Sequence, residues 1–192
     1  KYILEQPKFF IPVALFFLLT IAFVQLEVTF VLFILDRFHY DQSKALMFLA
    51  FLGVVMAVIQ GGFIGRLTKA FRELRLVLVG IVFIVLGLLS LLFSFTFYPL
   101  VGSLMVLAAG YSLTNPCLSA LLSKAAPDDR QGSILGIYQS GASMARVLGP
   151  LIAGALYDVR MEYPLISSIG FVILAGLILI SRIFVNKSTT SI

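Results

Sequence analysis

The segment 132–158, GSILGIYQSGASMARVLGPLIAGALYD, constrains the fold more than any other. As a helix rising ~1.5 Å per residue it is long enough to cross ~30 Å of hydrocarbon, and Arg146 stands near its middle. Arginine keeps its charge at any pH a protein meets. Placing it at membrane depth costs at least ~2.5–3.5 kcal/mol on insertion scales. Gly149 and Pro150 follow it, and both are poor helix formers in water. Small residues recur at every fourth position, as Gly132, Gly136 and Ser140, and in a second row as Gly141, Ala145 and Gly149. Such rows let neighbouring helices approach closely. The rest of the chain must shelter one charge from lipid.

The composition agrees with a membrane setting. The chain is 60% hydrophobic and 12% charged, against ~45–50% and ~25% in soluble domains. Six apolar segments are marked, at about 9–35, 45–65, 76–97, 100–122, 133–157 and 164–185. Each is long enough for one helical crossing. None shows the alternation that barrel strands require. The expected fold is an all-α bundle of six transmembrane helices over 9–185, with a cytoplasmic linker at 1–8 and a cytoplasmic, disordered tail at 186–192. The chain opens at Lys1 without Met and shows no signal peptide, so 1–8 reads as an internal linker of something longer.

Orientation follows from basic residues in short loops. Lys1, Lys8, Arg66, Lys69, Arg72, Arg75, Lys124, Arg130, Arg182 and Lys187 fall on one side, and Arg37, Lys44 and Arg160 on the other. The imbalance predicts both termini in the cytoplasm. It also assigns the net charge of +5 to loop topology and not to nucleic-acid binding. The loop after the second span, GGFIGRLTKAFRELR, is the most basic stretch, and the third and sixth spans read as peripheral, lipid-facing helices.

The polar residues inside the spans are few. Glu27 and Gln25 are on the first. By helical rise Glu27 lies ~12 Å and Arg146 ~16 Å from the outer end, so the two charges share a depth on different helices. One reading makes them a structural ion pair, another makes Glu27 a buried neutral acid. In the functional reading Glu27 takes up and releases a proton, and Arg146 faces a water-filled cavity; intramembrane ionisable residues mark such paths. On the fourth span Pro116 removes a backbone donor, predicting a kink, and Tyr111, Asn115 and Ser119 share a face by their spacing. On the fifth, Gln139, Ser143 and Arg146 share another. The second span carries Gly53, Ala57, Gly61 and Gly65 at every fourth position.

Enzymatic chemistry is not expected. His39, the lone histidine, falls in an outer loop, and no Ser-His-Asp set, phosphate loop or metal-ligand cluster is present in the sequence. Cys117 reads as a small buried hydrophobe. No cofactor and no metal are implied.

The chain also resembles itself. MAVIQGGFI at 56–64 lies over MARVLGPLI at 144–152, an offset of 88 residues that also carries Glu27 onto Asn115. Three helices followed by three similar ones enter from opposite sides, which is a 3+3 inverted repeat, as in secondary transporters.

Three stretches carry a wider resemblance: LEVTFVLFILDRFHY, IQGGFIGRLTKAFRE and NPCLSALLSKAAPDDRQGSILGIYQSGASMARVLGPLIAGALYD. With them the chain resembles the C-terminal six-helix half of a major facilitator superfamily transporter, of the drug:proton antiporter, tetracycline-resistance-like branch. Gly61, Arg66 and Lys69 match positions of that family's basic loop motif between second and third helices, while Gly65 stands where its acid belongs and Thr68 where its second glycine belongs. Gly149, Pro150 and Gly154 look like its antiporter motif, with Ala153 in place of a glycine and in the other half from the family's own. The resemblance implies that Glu27 and Asn115 line the path, and that both small-residue rows face a missing N-terminal half.

It further implies proton-coupled efflux of small amphipathic compounds by alternating access, in a lipid bilayer, most simply a bacterial inner membrane. A sparse polar set of Glu27, Arg146, Gln25, Asn115 and Gln139 suits apolar substrates better than sugars. The alternatives are a carrier for a specific solute, lipid or organic anion drawn by Arg146, and a non-transporting membrane scaffold.

Overall fold

A computed structural model describes residues 7–127 and 130–189, with side chains for 9–127 and 130–182. Seven helices follow one another: α1 Pro7–Phe38, α2 Gln42–Gly62, α3 Ile64–Ala70, α4 Glu73–Leu92, α5 Phe97–Ala125, α6 Gln131–Tyr157 and α7 Tyr163–Thr189. Six are long, and they coincide with the six expected spans. Five of them are apolar enough to cross a membrane by length and composition. The sixth, α6, is 27 residues long; Gln139, Ser140, Ser143 and Arg146 make it more polar than the rest.

The boundaries differ in instructive ways. Helix α1 is described from Pro7, inside the expected linker. Helix α7 runs to Thr189, into the expected tail; residues 1–6 and 190–192 lie outside the described set. The basic loop is not all loop. It folds into α3, where Ile64 is buried and Leu67 packs on the core one turn later, leaving Arg66 and Lys69 exposed. Helix α2 therefore ends at Gly62, and Gly65 falls in α3 and outside the row of Gly53, Ala57 and Gly61.

The internal repeat is visible in the helices. Helices α2 and α4 begin at Gln42 and Glu73; their counterparts α6 and α7 begin at Gln131 and Tyr163, 89 and 90 residues later. That matches the offset of 88 within the usual uncertainty of helix ends. Packing follows the same exchange: α1 lies against α6 and α7, and α5 against α2 and α4.

The closest helix pair is α4 with α5. A Cβ placed on Gly80 would stand 2.9 Å from the Gly110 carbonyl oxygen, and one on Gly110 2.8 Å from that of Gly80. A Cβ on Gly87 would stand 2.9 Å from the Leu107 nitrogen. The reading of the third span as merely peripheral is therefore incomplete. Its outer face, with Val79, Val82, Phe83 and Leu86, is exposed as expected, but its glycine face forms the tightest crossing of the bundle.

The helix ends are tied by ion pairs. At one end Arg37, at the end of α1, donates to Glu162 at 2.9 Å and to the Leu92 carbonyl at 2.7 Å. Its guanidinium lies over Phe95 at 4.3 Å. Tyr157 donates to Asp36 at 2.6 Å beside it. At the other end Lys124 of α5 donates to Glu73 of α4.

Arg37, which the sequence reading counts as a loop charge, is a clamp whose side chain is only 12% exposed. Removing one partner of a buried pair costs ~3–5 kcal/mol. For this partly exposed pair, Arg37→Ala is expected to cost about 2 kcal/mol, since exposure lowers a pair's worth. The thermal midpoint of the purified protein in detergent measures it. Arg37→Lys should recover only part of the loss, because lysine lacks the planar fork that reaches carboxylate and carbonyl together.

Candidate functional site

Three of the five expected path residues meet in one place. A cavity of about 290 Å³ is lined by Glu27 of α1, Asn115 of α5 and Arg146 of α6. Thr20, Phe16, Phe23 and Tyr111 also line it, with Leu19 and Val24 as further apolar wall. Helix α1 supplies most of this surface because positions 16, 20, 23, 24 and 27 fall on one side at 3.6 residues per turn. Glu27 and Arg146 are exposed on the open side, and Asn115 is half-buried. Glu27 and Asn115, superposed by the 88-residue offset, thus occupy matching places on the two repeats.

The two charges share the cavity without forming an ion pair. The ion pairs within 4.0 Å among the described residues include Arg37–Glu162, Lys44–Asp41 and Lys124–Glu73, and neither Glu27 nor Arg146 is in one of these. A carboxylate and a guanidinium that face one cavity unpaired remain available to a proton, water or a solute.

Aromatic contacts set the cavity wall. Phe23 meets Tyr111 edge-on with centroids 4.8 Å apart. Phe16 stacks on Tyr138 at 3.8 Å. The hydroxyls of Tyr111 and Tyr138 are buried with no protein partner among the described residues. Tyr111 shares a helix face with Asn115 in sequence. Thr20 and Phe16 carried no signal beyond helical spacing from Glu27 and Phe23.

Gln25 is not at the cavity. It is fully buried, its amide has no protein partner among the described residues, and its backbone carbonyl accepts from Thr29 at 2.8 Å. Two residues before Glu27 is ~200° around a helix, so it faces away. Gln139 is exposed on α6 but does not line the cavity, being about 10 Å along the axis from Arg146.

The small-residue rows divide. Gly53, Ala57 and Gly61 of α2 are exposed, as are Gly132, Gly136 and Ser140 of α6; a Cβ on any of these glycines would meet nothing within 4 Å. The second row of α6 does not face an absent partner. Gly141 lies by Val13, Ala145 is buried, and a Cβ on Gly149 would stand 2.8 Å from Val24. That row seats α6 on α1. Of the antiporter look-alike, Gly149 is packed inside, Pro150 is half-buried and only Gly154 is open.

The Major Facilitator Superfamily profile matches residues 62–191. Quinolone resistance protein NorA of Staphylococcus aureus is 29% identical over 172 residues, 90% of this chain and 44% of its own length. Tetracycline resistance protein, class C, of Escherichia coli is 32% identical over 122 residues, 64% of this chain and 31% of its own. The chain thus spans less than half the length of these curated relatives. The fold is similar to that of the human organic anion transporter MFSD10 (TETRAN), with TM-score 0.82 and 22% identity over 88% of this chain and 40% of that one. It is equally similar to peptide transporter POT in complex with sulfate, with TM-score 0.82 and 18% identity over 91% and 37%.

Proposed function

The chain belongs to the major facilitator superfamily, and on that premise we propose that it forms one half of a proton-coupled exporter of amphipathic, drug-like compounds. The observation that carries this reading is the cavity where Glu27, Asn115 and Arg146 open among Phe16, Phe23 and Tyr111. Aromatic and aliphatic wall binds apolar bodies, and a few placed polar groups orient them. Glu27, unpaired and open to the cavity, is the group assigned to the proton. Arg146, on the same cavity, offers a fixed positive charge that is less offset when Glu27 is protonated.

Alternating access needs a second half to rock against. The open small-residue faces of α2 and α6 suit that partner, because glycine rows permit close and sliding contact. The names of the relatives, resistance proteins for quinolones and tetracycline, agree with efflux of such compounds. The chain is part of a multi-pass membrane protein; both termini in the cytoplasm of a bacterial cell is the orientation that its basic residues favour.

A second reading has one observation of its own: Arg146 lines the cavity without an ion pair, which suits an organic anion. Transport by the complete protein in proteoliposomes separates them. An imposed proton gradient is expected to drive accumulation of a cationic or zwitterionic amphiphile by about tenfold per pH unit for one-for-one exchange, the equilibrium factor for ~1.4 kcal/mol. A protonophore should abolish it. Accumulation of an organic anion alone would establish the second reading, and accumulation indifferent to the gradient would remove the proton from the first.

A further inference from the structure

The two ends of the α1, α4, α5 and α7 cluster are built differently, although the repeat makes them equivalent. At the Arg37 end, Phe30 and Phe33 are buried to within 1%, and the guanidinium lies over the Phe33 ring, 5.6 Å from its centroid. Eighty-eight residues on, Leu118, Leu121 and Ala125 take the places of Phe30, Phe33 and Arg37. The cation of that end, Lys124, is one position earlier. One residue is ~100° of helical turn, so Lys124 points outward with 71% of its side chain exposed, against 12% for Arg37.

The result is a loss of volume. Two rings become two leucines and an arginine becomes an alanine. A cavity of about 130 Å³ is left, lined by these three residues together with Ile11, Pro12 and Leu15 of α1, Leu74 of α4 and Leu179 and Arg182 of α7. All of its wall is aliphatic except Arg182. An apolar cavity of ~150 Å³ in a protein stays dry and admits a benzene-sized molecule, so this one has room for several carbons of a chain. It also lies at the basic end of the bundle. Arg66, Lys69, Arg72, Arg75 and Lys124 are exposed there, with Glu73 the one acid among the described residues of that end.

The geometry points to this cavity as a binding site for one phospholipid of net negative charge, with the first carbons of an acyl chain among Leu118, Leu121 and Ala125 and the headgroup at Arg182. An aliphatic recess favours the chain over water, since no polar partner inside would hold water. Basic pockets between transmembrane helices favour anionic headgroups, each cation near the surface being worth about a fivefold change in affinity. The leaflet is the one beside α3, the basic side.

The test uses the complete protein, delipidated in mild detergent and titrated with phosphatidylglycerol or phosphatidylcholine of identical chains. Native mass spectrometry counts bound lipid. The wild type should retain one phosphatidylglycerol with about fivefold preference over phosphatidylcholine. Arg182→Gln should equalise the two, and Ala125→Phe, which fills the recess, should lose the retained lipid of both kinds. Leu121→Phe is the second filling variant, since its repeat mate Phe33 shows that a ring fits at that level. Equal lipid retention by the wild type and a folded filling variant overturns the site, as it would if water or another part of the chain filled the recess. A wild type that does not discriminate the two headgroups, or an Arg182→Gln that still does, overturns the headgroup assignment.

Discussion

Glu27→Gln is expected to leave the bundle folded and to abolish gradient-driven transport. The amide has nearly the shape of the acid, and Glu27 is exposed with no ion pair within 4.0 Å among the described residues. Little packing or pairing is lost, so the thermal midpoint should stay within the small range of surface substitutions, about ±0.5 kcal/mol. What is lost is the one acid among the described residues that line the cavity. A positioned side chain that transfers a proton contributes ~10²–10⁴-fold where the step depends on it, and uphill transport should fall by at least about 100-fold on that scale. Downhill exchange of preloaded substrate should persist, because Asn115, Arg146 and the aromatic wall remain. Glu27→Asp should keep coupling at a lower rate. Proteoliposome assays of both variants check this, and full proton-driven accumulation by the glutamine variant would transfer the role elsewhere.

How much of this site was legible depends on what helical periodicity can carry. Glu27, Asn115 and Arg146 stood out because polar groups are costly in a span, and the 88-residue offset paired two of them. Helix α1 has Gln25 on its opposite side, which the ~100° step per residue already indicates; polarity alone had grouped it with Glu27. Gln139 shares Arg146's face, but distance along the axis separates it from the cavity. A face gives direction, and the cavity is bounded in length as well.

The small-residue rows show a different limit. Spacing revealed both rows of α6 but not which neighbour each would meet. Gly132, Gly136 and Ser140 are open, while Gly141, Ala145 and Gly149 seat the helix on α1. Arg37 looked like a loop charge because it follows an apolar run. Its half-buried partners, Glu162 and Leu92, are 125 and 55 residues away, beyond any local pattern. Gly80 and Gly87, two turns apart on one face of an otherwise bulky helix, were a signal available in the sequence. The absence of polar residues drew attention away from that helix.

That glycine face gives the largest expected effect on stability. Gly110→Ala should destabilise the bundle by about 3 kcal/mol, the upper part of the usual overpacking range. The added Cβ would stand 2.8 Å from the Gly80 oxygen and 2.8 Å from the Ile84 nitrogen. Both are backbone atoms of α4, so no side-chain rotation relieves them and the helices must separate. The third neighbour is the Ile84 Cγ1 at 2.7 Å; Ile84→Ala would remove it without moving the backbone, and should fail to rescue. Gly149 provides the contrast. There a Cβ would meet Val24 side-chain atoms at 2.8 and 3.1 Å, with the nearest backbone atom at 3.6 Å, so Val24→Ala should recover part of a Gly149→Ala loss. Gly102 is on α5 as well, with nothing within 4 Å of a Cβ, and Gly102→Ala should be neutral or gain up to about 1 kcal/mol from helix propensity. Thermal midpoints of the complete protein in one detergent compare all of these. Equal shifts for Gly110→Ala and Gly102→Ala would mean that the crossing tolerates separation. If Ile84→Ala restored the Gly110 variant, the contact would be between side chains and not between the two backbones.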